Sequence, residues 1–203
     1  MDSVVFDMMG VLFEGGHFIS DVLYKQVADR MPLPDLQRRY IDLATGKIDR
    51  PRFWSGLFDD WQAEERALLE RLAPKPDLDA IRDLKGRCCL GLLTEIPTDW
   101  GLALLRKARL SSFFDVLVIS GREGITKPDP LIYRRLVSRL PGGGRRIYID
   151  DKPENLPPAA RLGFSTIWLK NPGRSFTIDF TPGRVAESLT ETRRIIESEL
   201  FAR

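Results

Sequence analysis

Apolar residues fall into five short runs rich in Val, Ile and Leu: SVVFDM (3–8), RCCLGLL (87–93), FDVLVIS (114–120), RRIYID (145–150) and FSTIWL (164–169). None alternates strictly between apolar and polar, so the pattern predicts strands covered on both faces. Between the later runs the spacing changes to the helical period. TDWGLALLRKARL opens on a Thr or Asp cap, and DPLIYRRLVSRL offers Asp129 as cap with Pro130 at the first helical position. PENLPPAARLG ends at Gly163, a C-terminal cap. Strand and helix in alternation predict an α/β fold, a Rossmann-like parallel sheet with right-handed crossovers.

Residues 15–85 break that rhythm. FISDVLYKQVADRM, DLQRRYIDLATG, DRPRFWSGLF and AEERALLERL all carry helical spacing, and no strand pattern interrupts them. Phe53, Trp54 and Leu57 share one helical face, and Leu68, Leu69 and Leu72 another; such stripes are read as packing rather than as a ligand box. The stretch is therefore predicted to be a helical module inserted after the first strand, with residues 1–14 and 86–203 forming the α/β core. The tail VAESLTETRRIIESELFAR is predicted as a closing helix. PGGGRR (141–146) precedes a strand instead of opening a helix, so it is a turn and not a phosphate loop.

Composition narrows the classes. The chain has 203 residues, 43% of them hydrophobic, enough for one sizeable core. The 31 basic and 29 acidic residues leave a net charge of +2, with no polybasic run to indicate nucleic acid or an anionic membrane as partner. No apolar stretch approaches the roughly 20 residues that span a bilayer, and the N-terminus opens directly into a strand. The two cysteines are adjacent, Cys88 and Cys89, and on a strand point to opposite faces. They cannot share a metal and form no disulfide framework, so they are read as core residues of a soluble protein in the cytoplasm.

Candidate chemistry gathers where such sheets bind ligands, beyond the carboxyl ends of the strands. Asp7 ends the first predicted strand and Thr94 the second. Lys127 follows the third, and Asp150 with Asp151 closes the fourth. Each alone has a dull explanation: a strand-end cap, a solvated turn, a helix N-terminus. Four together at strand ends do not. Carboxylates crowded around one point repel unless a cation joins them, and an oxygen-only ligand set suits Mg²⁺. A lysine and a hydroxyl beside them would hold an anionic substrate group.

The motifs that carry these residues resemble those of the haloacid dehalogenase-like hydrolase superfamily, in its branch with a helical cap after the first strand. DMMGVL matches the family's D-x-D-G-[VT]-[LIV] except at its third position. LGLLTE supplies the Thr-ended strand, GITKPDPLIY the lysine motif, and IDDKPEN the acidic pair followed by Asn. Within the cap, YIDLATGKIDRPRFW is similar to sugar-phosphatase-like and epoxide-hydrolase N-domain members. The resemblance implies that Asp7 attacks phosphorus of a small phosphorylated metabolite and forms an aspartyl-phosphate. It implies Mg²⁺ held by Asp7, the main-chain carbonyl of Met9, Asp150 and Asp151. Thr94, Glu95 and Lys127 form the implied substrate-binding set, and Asn155 orients the acidic pair.

Met9 stands where the family has its second aspartate. That aspartate's carbonyl binds the metal, and its side chain protonates the leaving oxygen and activates water; Met9 retains only the first function. Three readings follow: a phosphatase with a handicapped or substituted acid, a phosphate-binding protein without turnover, and a haloacid dehalogenase, whose halide leaves without a proton. Dehalogenases dispense with metal, whereas Asp150 and Asp151 are present here, which favours the phosphatase. Glu14 and His17, just past the motif, are the candidates to replace the missing acid.

Overall fold

The computed structural model describes residues 1–171 and 179–202. Its centre is a parallel sheet of six strands: β1 (Ser3–Phe6), β2 (Cys89–Thr94), β3 (Val116–Ile119), β4 (Arg146–Asp150), β5 (Ser165–Leu169) and β6 (Arg184–Ala186). The order across the sheet is β3-β2-β1-β4-β5-β6. All five predicted strands are present, and β1 lies between β2 and β4.

The absence of polar alternation has a direct cause. Val4, Phe6, Leu90, Leu92, Ile147 and Ile149 pack into one apolar layer. Val5, Cys89, Leu93, Val118 and Tyr148 pack into the layer on the other face. Both faces are covered, so both sets of alternate positions are apolar. Cys88 and Cys89 fall in different layers, as adjacent strand residues must, and both thiols are buried and free.

The short α6 (Ser120–Glu123) follows β3, and the second layer is roofed by α7 (Pro130–Arg139) and α8 (Leu156–Ala160), through Ile132, Tyr133, Leu136, Leu156 and Ala159. Asp129 caps α7 by accepting from the Leu131 N–H at 2.8 Å. The first layer is covered by α5 (Thr98–Lys107) and α9 (Leu189–Leu200). Two expectations about these helices are corrected. The cap residue of α5 is Pro97, not Thr98 or Asp99, and among the described residues it makes no side-chain capping hydrogen bond. The tail helix begins after Ser188, whose hydroxyl accepts from the Glu191 N–H at 3.0 Å; Val185, predicted as helical, lies in β6. Arg203, the last residue of that predicted helix, is outside the described residues.

Between β1 and β2 every described element is helical. A π-helical turn (Phe18–Leu23) runs into α1 (Tyr24–Val27), followed by α2 (Leu33–Ala44), α3 (Arg50–Trp54) and α4 (Trp61–Arg71). The Phe53, Trp54 and Leu57 stripe is buried, as its packing role requires. Trp100 of α5 is the anchor: the rings of Phe18, Tyr40, Phe53 and Trp54 all sit within 6.3 Å of its centroid. The chain leaves and re-enters the sheet domain side by side. Phe13 bridges Pro74, the Glu14 N–H donates to Ala73, and the Lys75 N–H donates to Leu12. The 3₁₀ turn that follows, Leu78–Leu84, packs on α9.

Candidate active site

Strand register sets the site. Phe6 is level with Leu92 of β2 and Ile149 of β4, so Asp7 emerges beside Asp150, and its N–H donates to the Ile149 carbonyl at 2.9 Å. Asp7, Thr94, Lys127, Asp150 and Asp151 are all buried. Asp7, Thr94 and Lys127 line one cavity of about 320 Å³ between the strand ends and the inserted helices. Its far wall is Phe18, Ile19, Tyr40, Ile41 and Ala44 of the insertion.

Lys127 is the pivot of the charges. Its Nζ lies 2.7 Å from Asp150 and 2.8 Å from Asp7. Burial works against its charge, but the two carboxylates outweigh that and hold the ammonium well above its ordinary range. Asp150 is saturated: it also accepts from Tyr148, from the Lys152 N–H at 2.9 Å and from Asn155 Nδ2 at 3.1 Å. The Asn155 carbonyl in turn accepts from Tyr133 at 2.9 Å. Asn155 therefore orients Asp150 rather than the acidic pair as a whole, and Asp150 chiefly holds Lys127.

Asp151 is arranged differently. Asn171 donates to its Oδ2 at 2.9 Å, and a Cβ on Gly10 or Gly16 would lie about 2 Å from that same oxygen. Only glycines leave room for it there, and Gly10 also has a positive φ of 81°. Among the described residues, the buried Oδ1 of Asp151 accepts no hydrogen bond. Burial, then the charges of Asp150 and Asp7, push the Asp151 carboxyl up to about 8. Burial and Asp150 likewise raise Asp7 to about 7 against the pull of Lys127.

The remaining site residues divide. Glu95 lines the cavity, but it does so as an ion pair: Lys152 lies 3.1 Å away and Thr126 donates to it at 2.8 Å. Although burial raises it, Lys152 and Lys127 hold its carboxyl below the usual range. Met9 and His17 line the cavity as well. Glu14 does not. Its half-exposed carboxylate faces Lys75 at 3.7 Å and lines a separate hollow with Pro76 and Glu187, so it is not positioned to act as the substitute acid.

The sequence reading missed Lys152, Gly16 and Asn171. Lys152 adjoins the acidic pair, and Asn171 lies just past the end of β5, at the same sheet edge as the predicted residues. That edge position was the available signal. Gly16 had none.

One carboxylate oxygen each from Asp7, Asp150 and Asp151 converge within 4.8 Å of one another, with a single ammonium between two of them. The unsatisfied Asp151 oxygen and the all-oxygen donor set fit a hard divalent cation. With an acid, a hydroxyl and a buried lysine on one cavity wall, the arrangement can hold an anionic group against a carboxylate nucleophile.

The model of haloacid dehalogenase-like hydrolases matches residues 1–163, and the chain belongs to that family. A phosphorylated-carbohydrate phosphatase of Thermotoga maritima is 26% identical over 186 residues, covering 83% of this chain and 84% of that protein. The L-2-haloacid dehalogenase of Xanthobacter autotrophicus superposes with a TM-score of 0.69 at 18% identity, over 96% of this chain and 98% of its own. A HAD-hydrolase of Bacillus subtilis, solved bound to magnesium, superposes with the same TM-score, 0.69, and 18% identity, over 96% and 98% of the two chains. No helix among the described residues is long and apolar enough to cross a membrane.

Proposed function

We propose that this hydrolase is a Mg²⁺-dependent phosphatase of a small phosphorylated metabolite, working in the cytoplasm through an aspartyl-phosphate on Asp7. The observation that carries this is the carboxylate cluster with its unsatisfied Asp151 oxygen. A dehalogenase, needing no metal, has no use for it. The cavity volume of about 320 Å³ is at the low end for small-molecule sites, which suits a short phosphate ester.

Asp7 attacks phosphorus with a carboxylate oxygen. The new P–O bond forms as the ester P–O bond breaks, and the leaving oxygen takes the bonding pair. Water then attacks phosphorus, releasing phosphate and restoring Asp7. Lys127 and Thr94 hold the phosphoryl oxygens as charge builds on them. Asp7, Asp151 and the Met9 carbonyl would hold Mg²⁺ with the saturated Asp150 beside them. When bound, the ion neutralises charge and withdraws electrons from the phosphoryl group.

Met9 leaves the departing oxygen without its usual proton donor. Esters of good leaving groups are therefore the preferred substrates. The test is a panel of aryl and alkyl phosphates assayed with Mg²⁺ and with chelator. Hydrolysis that chelator leaves unchanged, or release of halide from a 2-haloacid without phosphatase activity, sinks this reading.

A further inference from the structure

The amide of Asn171 bridges two groups of opposite demand. Its Oδ1 accepts from Lys75 Nζ at 2.7 Å, while its Nδ2 donates to Asp151 Oδ2 at 2.9 Å and to the Gly10 carbonyl at 3.2 Å. An ammonium can only donate; a carboxylate and a carbonyl can only accept. The amide is thus locked in one sense, since the flipped orientation would set donor against donor and acceptor against acceptor. Lys75 is itself mostly buried and lies on the segment returning from the insertion, where its backbone N–H is tied to Leu12.

We infer that Asn171 is the positioning residue for Asp151, and that Lys75 sets the sense of the Asn171 amide. One oxygen of Asp151 is pinned by Asn171 in the slot between Gly10 and Gly16. The other is thereby kept for a cation. This rests on the Mg²⁺ reading above. It adds that the metal ligand is held by the crossover between insertion and sheet, so the returning segment at Lys75 contributes to metal affinity without touching the metal. Asn155, whose side-chain amide among the described residues donates to Asp150 and not to Asp151, cannot perform this task.

Calorimetric titration of the protein with MgCl₂ tests it without recourse to turnover. Asn171→Ala is expected to weaken Mg²⁺ binding by roughly 10–100-fold, the range for lost outer-sphere partners. Lys75→Met should weaken it by a smaller factor, and Lys75→Arg, which still donates, should return it close to wild type. A purely structural role would lower the melting temperature of all three variants without this order in affinity. Folded Asn171→Ala binding Mg²⁺ as wild type does would overturn the inference. So would equal affinities of Lys75→Met and Lys75→Arg, which also decide the matter should Asn171→Ala not fold. Wild type that binds Mg²⁺ yet hydrolyses no ester would sink the phosphatase reading and leave this inference standing.

Discussion

Lys127 places its ammonium 2.8 Å from the carboxylate of Asp7, and both side chains are shut off from solvent. The same nitrogen reaches Asp150 at 2.7 Å, so one cation serves two buried anions. Removing it leaves both uncompensated. Lys127→Met is expected to abolish activity and to cost about 3–5 kcal/mol of stability, as breaking a buried ion pair does. Urea denaturation at pH 8 measures the loss. At pH 5, where Asp7 can take up a proton, the loss should shrink. A variant as stable as wild type at pH 8 would contradict the assigned role.

Asp7→Asn separates chemistry from fold. The amide has nearly the same size but is a poor nucleophile and a weaker metal ligand. Activity on every ester should vanish while the melting temperature changes little, because a buried like charge beside Asp150 is removed along with a partner of Lys127. Substantial residual turnover would point to direct attack by water on the substrate.

The raised carboxyl groups give the metal-free protein a definite pH dependence. Asp7 and Asp151 titrate near the ordinary 3.8 when unfolded, but at about 7 and about 8 in the folded chain. Between those limits the folded state holds more protons than the unfolded state, so stability falls as pH rises. The contribution is complete below about pH 4 and is lost as pH climbs through 7 and 8. In chelator, the melting temperature should therefore decline from pH 5 to pH 9. Mg²⁺ competes with those protons, so its stabilising effect should grow over the same interval. A melting temperature in chelator that rises with pH across this window would show that other groups dominate.

The candidate site residues could be picked out because they lie at strand ends, and strands covered on both faces announce themselves as apolar runs. β6 was not legible. It has three residues, of which only Ala186 is buried, too little pattern to distinguish it from the start of the helix that follows. Leu78, Ile81 and Leu84 have helical spacing like the residues before them, and that spacing does not tell that they pack against α9. The Lys75–Asn171–Asp151 chain joins residues up to 96 positions apart through single polar contacts. No periodicity records such a contact. Glu14 shows the opposite failure: closeness to the motif in sequence suggested closeness to the site, but the pairing of Glu14 with Ala73 carries it toward Lys75.

Met9 lies buried against the cavity where an acid would serve, and Glu14 has been carried elsewhere. If the thioether removes only the leaving-group proton, rate should depend steeply on the leaving group. Nitrophenyl phosphate, whose phenolate departs unaided, should be hydrolysed faster than alkyl phosphates of similar size. Release of phosphate from Asp7 lacks its general base too, so the first turnover should appear as a burst. Met9→Asp restores both functions and should raise alkyl phosphate turnover by on the order of 10²-fold, with a smaller gain on the aryl ester. The exchange also replaces an apolar contact with a charge near Asp7, so a stability loss of about 1–3 kcal/mol is expected and is read from the melting curve. Should folded Met9→Asp gain nothing on any ester, the missing-acid account fails. His17, which lines the same cavity, then becomes the group to remove. Loss of activity in His17→Ala would identify it as the substitute, and unchanged activity would leave a site that works without an acid.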